Sequence, residues 1–174
     1  MADEIKVNRS LIRLVQGDLL DLDTEAIVYY ARQDLILGSG FGGAITTKGG
    51  PKIQEELKDL APIQITEAVI STGGNLKAKY IFHAAGPRFQ EENLEDKLRD
   101  TIANVLRKAE ENKIRSLAFP AMGAGFYGVP LEVCAEVMVS TVKQHLNRET
   151  CLQEVIICLR DSREYAPFRQ KMKE

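Results

Sequence analysis

The sequence predicts an α/β fold in which helices pack on a largely parallel β-sheet. The main observation is that short apolar runs alternate with amphipathic segments of helical period along the whole chain. A second is that residues 25–31 form a continuous run of β-branched and aromatic residues, typical of a strand buried on both faces. A third is the length of 174 residues, which suits one domain with a substantial core.

The alternation predicts the order of the elements. Strands are expected at residues 11–17, 25–31, 67–73, 80–86, 116–122 and 154–160. Helices are expected at residues 43–48, 51–60, 94–112, 131–146 and 162–173, where Ser162 would be the N-cap of the last helix. Because ligands of such sheets bind outside the carboxyl ends of the strands, the loops that follow strands are the first place to look for a site.

Composition argues against several classes of function. The net charge of −2, from 23 basic and 25 acidic residues, leaves no electrostatic footprint for extended nucleic acid or a membrane surface. No apolar stretch approaches the roughly 20 residues of a membrane helix, and the first residues do not resemble a signal peptide. Three cysteines without a C-x-x-C pair indicate reduced, structural thiols. We therefore expect an intracellular, most simply cytoplasmic, monomer without metal or cofactor.

Two glycine-rich loops share the spacing of the dinucleotide-binding fingerprint. Residues 38–43 read GSGFGG and residues 123–128 read GAGFYG. The fingerprint also requires a tight strand–loop–helix unit and an acidic residue about 20 positions later, at the end of the next strand. Neither loop meets both conditions, and no Gly-Lys-Ser/Thr of a P-loop follows either one. The sequence therefore argues against NAD and against a P-loop nucleotide site.

The loops still have a physical use that does not depend on the fingerprint. Glycines permit positive φ and close backbone approach, so successive N–H groups can form a nest for an anion, assisted by a helix N-terminus. Two such loops at one sheet edge suit an extended anion such as a diphosphate. The alternative is that both are ordinary turns.

Five segments of the chain, at residues 12–28, 37–45, 48–56, 80–89 and 116–130, belong together by their order and spacing. The most specific pieces are V-x-G-D at residues 15–18 and A-F-P-x-x-x-x-G-x-Y-G at residues 118–128. In this arrangement they resemble the macro domain family, over residues 12–161. The resemblance implies a single domain over residues 1–174 with its core at 12–161. It also implies a three-layer α/β/α sandwich around a mixed, mostly parallel sheet of about six strands, and ADP-ribose as the ligand, either free or attached to another molecule.

The resemblance also implies roles for individual residues. Asp18 matches the residue that accepts a hydrogen bond from the adenine amino group, although Gly-Asp is equally a common turn or cap. The first loop would approach the distal ribose and the diphosphate, and the second would cradle the diphosphate. Arg160 falls where an aromatic residue often stacks on adenine, a role that a guanidinium can also fill. The implied ligand-binding residues are Asp18, Leu19, Ala31, Arg32, Gly38, Ser39, Gly40, Phe41, Gly42, Gly123, Ala124, Gly125, Phe126, Tyr127 and Arg160.

Two departures from the family pattern bear on catalysis. Hydrolytic members carry Asn-Ala-Ala-Asn where residues 29–32 here read Tyr-Tyr-Ala-Arg, so Arg32 replaces an asparagine that holds the distal ribose. Gly42 stands where some hydrolytic members have an acidic residue. Arg32 either binds a phosphate or an extra group on the ribose, or is a solvated residue paired with Asp34. No catalytic residue is predicted.

The function expected from the sequence is therefore binding of ADP-ribose with little or no hydrolysis. One alternative is an ADP-ribosyl hydrolase, O-acetyl-ADP-ribose deacetylase or ADP-ribose-1″-phosphatase that uses substrate-assisted attack by water. Another is a macro fold that binds a different nucleotide or an RNA end. His83, within an apolar strand, is expected to be a core residue and not a base, and His145 to be exposed or near a helix dipole.

Overall fold

The computed structural model describes residues 3–174. Within that range the chain forms seven β-strands and five α-helices. The strands are β1 Asp3–Val7, β2 Ser10–Gln16, β3 Ala26–Tyr30, β4 Ala68–Thr72, β5 Tyr80–Ala84, β6 Ser116–Phe119 and β7 Glu154–Leu159. The helices are α1 Gly40–Gly49, α2 Lys52–Lys58, α3 Leu94–Glu111, α4 Leu131–Leu146 and α5 Ser162–Met172.

All seven strands belong to one mixed sheet with helices on both faces. The strand order is β1-β2-β7-β6-β3-β5-β4, with parallel pairing from β2 to β5 and antiparallel pairing at the two edges. Apolar side chains of α3, α4 and α5 pack on one face, and those of α1 and α2 pack on the other. The predicted three-layer α/β/α sandwich with a mostly parallel sheet is confirmed.

The predicted count of about six strands is one too low, because β1 was not expected. This strand reads DEIKV, and its side chains alternate between half-buried and exposed, so it contains no continuous apolar run. It pairs antiparallel with β2, from Asp3 opposite Leu14 to Val7 opposite Ser10. An edge strand has only one neighbouring strand and tolerates charged residues, and that is why its sequence signal is weak.

Two helix starts differ from the prediction. α1 begins at Gly40 and not at residue 43, so most of the first glycine loop is helix. The N-cap of α5 is Asp161 and not Ser162, since the Asp161 carboxylate accepts the Glu164 N–H at 2.9 Å. The buried cluster also continues past residue 161, because Phe168 and Met172 of α5 pack into it.

Candidate functional site

A cleft of about 620 Å³ opens at the carboxyl ends of the central parallel strands. Its walls come from segments that follow β2 and β6, from the last residues of β3 and β7, and from one face of α1. This is where ligands bind in open α/β sheets. The lining residues are Gly17, Asp18, Leu19, Leu20, Tyr29, Tyr30, Phe41, Ala44, Pro120, Ala121, Gly123, Ala124, Gly125, Phe126, Tyr127, Cys158, Arg160 and Glu164.

Asp18 stands at one end of the cleft, at the start of a short 3-10 helix. Its Oδ1 accepts the Leu20 N–H at 3.0 Å, so the predicted cap is present, and its Oδ2 lies 3.0 Å from Lys48 Nζ. The Leu20 hydrogen bond lowers the pKa of Asp18, Lys48 lowers it further, and partial burial opposes both. Asp18 is therefore an anionic acceptor at neutral pH. Beside it, the N–H of Leu19 is the first of the 3-10 helix and has no acceptor within that helix.

The second glycine loop forms the middle of the cleft. Gly125, Phe126 and Tyr127 form a single 3-10 turn, closed by a hydrogen bond from Gly128 N–H to the Gly125 carbonyl. In the described part of the chain, the N–H groups of Gly125 and Phe126, the first two of this 3-10 turn, have no acceptor within it. Successive N–H groups without an acceptor can form an anion-binding nest.

An aromatic wall bounds the end of the cleft away from Asp18. The ring of Tyr29 stacks on Phe41 with centroids 5.7 Å apart, and the ring of Tyr30 packs on Tyr127 at 4.8 Å. Tyr30 is buried and its hydroxyl donates to the Pro87 carbonyl, whereas Phe126 is 91% exposed at the loop tip. Both tyrosines of β3 therefore line the cleft, although successive residues point to opposite faces of the sheet.

Arg160 is held against the cleft by a buried carboxylate. Its Nε and Nη2 donate to Glu164 Oε2 at 3.1 and 2.9 Å, and its backbone N–H donates to Oε1 at 2.9 Å. The Arg160 side chain is 66% exposed while Glu164 is 3% exposed, so one face of the guanidinium remains accessible. A fixed guanidinium plane at the Asp18 end can stack on an aromatic ring.

The first glycine loop contributes less to the cleft than predicted. Of its residues only Phe41 lines the cleft; Gly38, Ser39, Gly40 and Gly42 do not. Gly38 and Gly40 have positive φ and lead into α1, with Ser39 as the N-cap. The loop therefore positions the beginning of a helix beside the cleft. Ala31 is buried and is not part of the lining either.

Comparisons with known proteins identify the family of this chain. The Macro domain profile matches residues 30–138. An uncharacterised protein of Sulfurisphaera tokodaii is 39% identical over 91% of this chain and 88% of its own length. A macro domain-containing protein of Caldanaerobacter subterraneus is 36% identical over 94% and 96%. This chain belongs to the macro domain family.

Solved macro domains share the whole fold. A mutant of the Oceanobacillus iheyensis macrodomain with ADPR superposes with a TM-score of 0.94 at 26% identity, covering 99% of this chain and 97% of that one. The Trypanosoma brucei macrodomain in complex with ADP-ribose reaches 0.87 at 27% identity, covering 92% and 68%. The suspected family is confirmed.

In this macro domain Gly42 has no room for a side chain. A Cβ placed there would lie 1.9 Å from the Leu37 carbonyl oxygen and 2.8 Å from the Tyr29 hydroxyl. Real Cβ atoms do not approach backbone this closely, so the turn before α1 would have to open to admit any other residue. The absence of an acid at position 42 is therefore a property of the loop's backbone path and not of one replaceable residue.

Arg32 lies outside the lining of the cleft. Its Nη2 lies 2.7 Å from Asp34 Oδ2, and both side chains are exposed, at 52% and 44%. This is the solvated pairing that the sequence offered as one alternative. The guanidinium is still near enough to Tyr127 that its charge lowers the pKa of that hydroxyl, although burial dominates and raises it.

The histidines and cysteines of this macro domain take structural roles. His83 is fully buried with Nε2 2.8 Å from Ser71 Oγ, and burial lowers its pKa to about 4. His145 is buried with its Nε2 2.7 Å from Glu110 Oε2, so of its two alternatives exposure is wrong, and it lies in the last turn of α4. Cys158 lines the cleft, but burial raises its pKa to about 11, which makes it a poor nucleophile.

Neither a metal centre nor a membrane helix is evident in the described range. Among residues 3–174 no group of three or more His, Cys, Asp or Glu side chains is arranged to hold a metal ion. No helix in the same range combines the length and apolar character needed to cross a bilayer.

Several lining residues were missed by sequence reasoning. Gly17, Pro120 and Ala121 lie inside the two most specific motifs but were not assigned to the ligand, and Leu20 follows Asp18 by two residues. Glu164 is four residues after Arg160, a spacing at which helical side chains meet. Ala44 and Cys158 carried no signal, since small apolar residues in regular elements belong to the core more often than to a site.

Proposed function

We propose that this macro domain binds ADP-ribose, free or attached to another molecule, and has little or no hydrolase activity. The observation that carries the proposal is the pairing of two features in one cleft. Asp18 and the Leu19 N–H present an acceptor and a donor to the amino group and N1 of adenine, and the N–H groups of Gly125 and Phe126 suit a diphosphate. The complexes of its structural neighbours with ADPR and ADP-ribose support this ligand.

The direction of the ligand follows from the same features. The adenine lies beside Asp18, where Arg160 offers a flat guanidinium for stacking. The diphosphate lies over the second loop, assisted by the N-terminus of α1 at Gly40. The distal ribose then reaches the aromatic wall of Tyr29, Phe41 and Tyr127.

Low hydrolytic activity is expected because two positions that carry ribose-positioning side chains in hydrolytic members of the family do not carry them here. Gly42 has no side chain to orient a water molecule, and its surroundings exclude one. Arg32, in place of an asparagine, is directed to Asp34. Since positioning of the reacting groups accounts for orders of magnitude in rate, their loss favours binding without turnover.

Calorimetry with ADP-ribose tests binding, and incubation with an ADP-ribosylated carrier protein tests turnover. We expect saturable binding and release of ADP-ribose no faster than in buffer. No heat of binding at millimolar ADP-ribose would overturn the proposal. Binding together with time-dependent release would favour the hydrolase alternative, and binding of other nucleotides without ADP-ribose would favour a different ligand.

Asp18→Asn is expected to weaken ADP-ribose binding by about 1–3 kcal/mol, the cost of leaving a hydrogen-bonding group of the base without its partner. The asparagine oxygen can still accept the Leu20 N–H, so the cap is retained, but the amide nitrogen cannot accept from the adenine amine. Calorimetry gives the affinity. Asp23→Asn, at a nearby exposed aspartate, is the control, and equal affinities of the two variants would contradict a base-reading role for Asp18.

A further inference from the structure

Lys48 does not itself line the cleft, but its place on α1 brings its ammonium group to Asp18, which does. Phe41 and Ala44 line the cleft, and Lys48 follows Ala44 by four residues, so the three share one face of the helix. The Lys48 Nζ lies 3.0 Å from Asp18 Oδ2 and 3.7 Å from Asp21 Oδ1. The face of α1 that borders the cleft thus ends in an ammonium group beside Asp18, the residue proposed to bind the base.

Stability alone does not account for a lysine in this place. The side chains of Lys48 and Asp18 are 45% and 44% exposed, and an ion pair that is this exposed stabilises a fold very little. The pair does change what the end of the cleft offers to a ligand. A carboxylate presents only acceptors and an ammonium only donors, so the two together present an acceptor and a donor side by side.

We propose that Lys48 widens the base selectivity of the cleft to 6-oxo purine nucleoside diphosphates. Adenine presents a donor amine at position 6 and an acceptor at N1, which suit Asp18 and the Leu19 N–H. Hypoxanthine presents the reverse, an acceptor at O6 and a donor at N1. Shifted by one ring position, its O6 accepts from Lys48 and its N1–H donates to Asp18.

Without Lys48 the second arrangement fails while the first survives. In the shifted position O6 would have no donor, and in the unshifted position the Asp18 carboxylate would face the O6 lone pairs with no proton between them. The adenine arrangement needs only Asp18 and Leu19. The lysine is therefore a specificity-determining residue, an inference that rests on the proposed orientation of the base.

Calorimetry with ADP and inosine 5′-diphosphate tests the inference on the intact chain. The unmodified protein is expected to bind the two within about tenfold of each other. Lys48→Met is expected to weaken the binding of inosine diphosphate by at least about tenfold while changing the affinity for ADP by less than about threefold. Lys48→Arg, which keeps a donor, is expected to retain most of the inosine diphosphate affinity. Lys58→Met, an exposed lysine of α2, is the matched control.

Different outcomes separate this inference from the proposed function. Binding of ADP without inosine diphosphate by the unmodified protein would overturn the inference alone. The inference would also be overturned if a Lys48→Met variant that melts normally bound both ligands more weakly by the same factor, or bound both with unchanged affinity. If ADP-ribose, ADP and inosine diphosphate all failed to bind, the proposed function would be overturned and the inference with it.

Discussion

Gly123→Ala is expected to weaken ADP-ribose binding by at least about a hundredfold, or roughly 2.7 kcal/mol. The φ of Gly123 is +84°, a left-handed conformation that costs other residues about 1–2 kcal/mol. An added Cβ would also lie 2.6 Å from Val129 Cγ2 and 3.1 Å from the Tyr30 hydroxyl. Either the loop shifts or Tyr30 and Val129 move.

The shift acts directly on the proposed anion nest. The Val129 N–H donates to the Gly123 carbonyl at 3.0 Å, so Gly123 anchors the base of the loop that holds residues 125–127. When this anchor moves, the N–H groups of Gly125 and Phe126 are displaced with the loop, and they are the groups proposed to bind the diphosphate. Calorimetry measures the loss of affinity, and thermal melting measures the loss of stability.

A second glycine separates the two effects. Gly50 also has positive φ, at +92°, and a Cβ there would lie 3.2 Å from Asn75 Nδ2, away from the cleft. Gly50→Ala is expected to lower the melting temperature without changing the affinity. A Gly123→Ala variant that is folded and binds ADP-ribose as tightly as Gly50→Ala does would show that the second loop does not hold the ligand.

Glu110→Gln is expected to lower the free energy of unfolding at pH 7 on the order of 3 kcal/mol. Glu110 lies in the last turn of α3 and ties together two other segments. Its Oε1 accepts from Cys151 N–H at 2.9 Å and lies 3.0 Å from Cys151 Sγ. Its Oε2 lies 2.7 Å from His145 Nε2 at the end of α4 and accepts from the Thr150 hydroxyl.

The pH dependence provides a second readout of the same group. Burial alone would raise the pKa of Glu110, but the donors of Cys151, Thr150 and His145 outweigh it and lower the pKa to about 2. Since the folded-state pKa is depressed from 4.5, the stabilisation is present above pH 4.5 and is lost as the pH falls toward 2. The Gln variant should lose less stability over this interval than the unmodified protein.

Urea unfolding at a series of pH values measures both effects. Glu111→Gln is a close control, because Glu111 is the next residue on α3 but is exposed and pairs with Arg107. Its expected effect is within about 0.5 kcal/mol. If Glu110→Gln unfolds at the same urea concentration as Glu111→Gln, the Glu110 carboxylate does not stabilise the packing of α3 against α4 and the segment before β7.

The first loop shows how far sequence reasoning about the site could go. The pattern GSGFGG indicated backbone close to a ligand, and the structure places only Phe41 at the cleft. Glycine spacing shows where the chain can turn or pack closely, but not against what. At Gly42 the close neighbour is the Leu37 carbonyl, so this glycine serves the turn.

The sequence by itself determined the layered fold, the order of its elements from β2 onward, and two segments that line the cleft, around Asp18 and at residues 123–127. Apolar periodicity and glycine-rich loops are local in the chain, so they can be read along it. Only the tertiary structure decided that Lys48 meets Asp18, 30 residues away, and that Glu110 meets Cys151, 41 residues away. It also decided between the two alternatives that the sequence left open for Arg32, in favour of the pair with Asp34. Lys48 and Glu110 contact groups that are close in space but distant in the chain, and the linear pattern of the sequence does not encode that proximity.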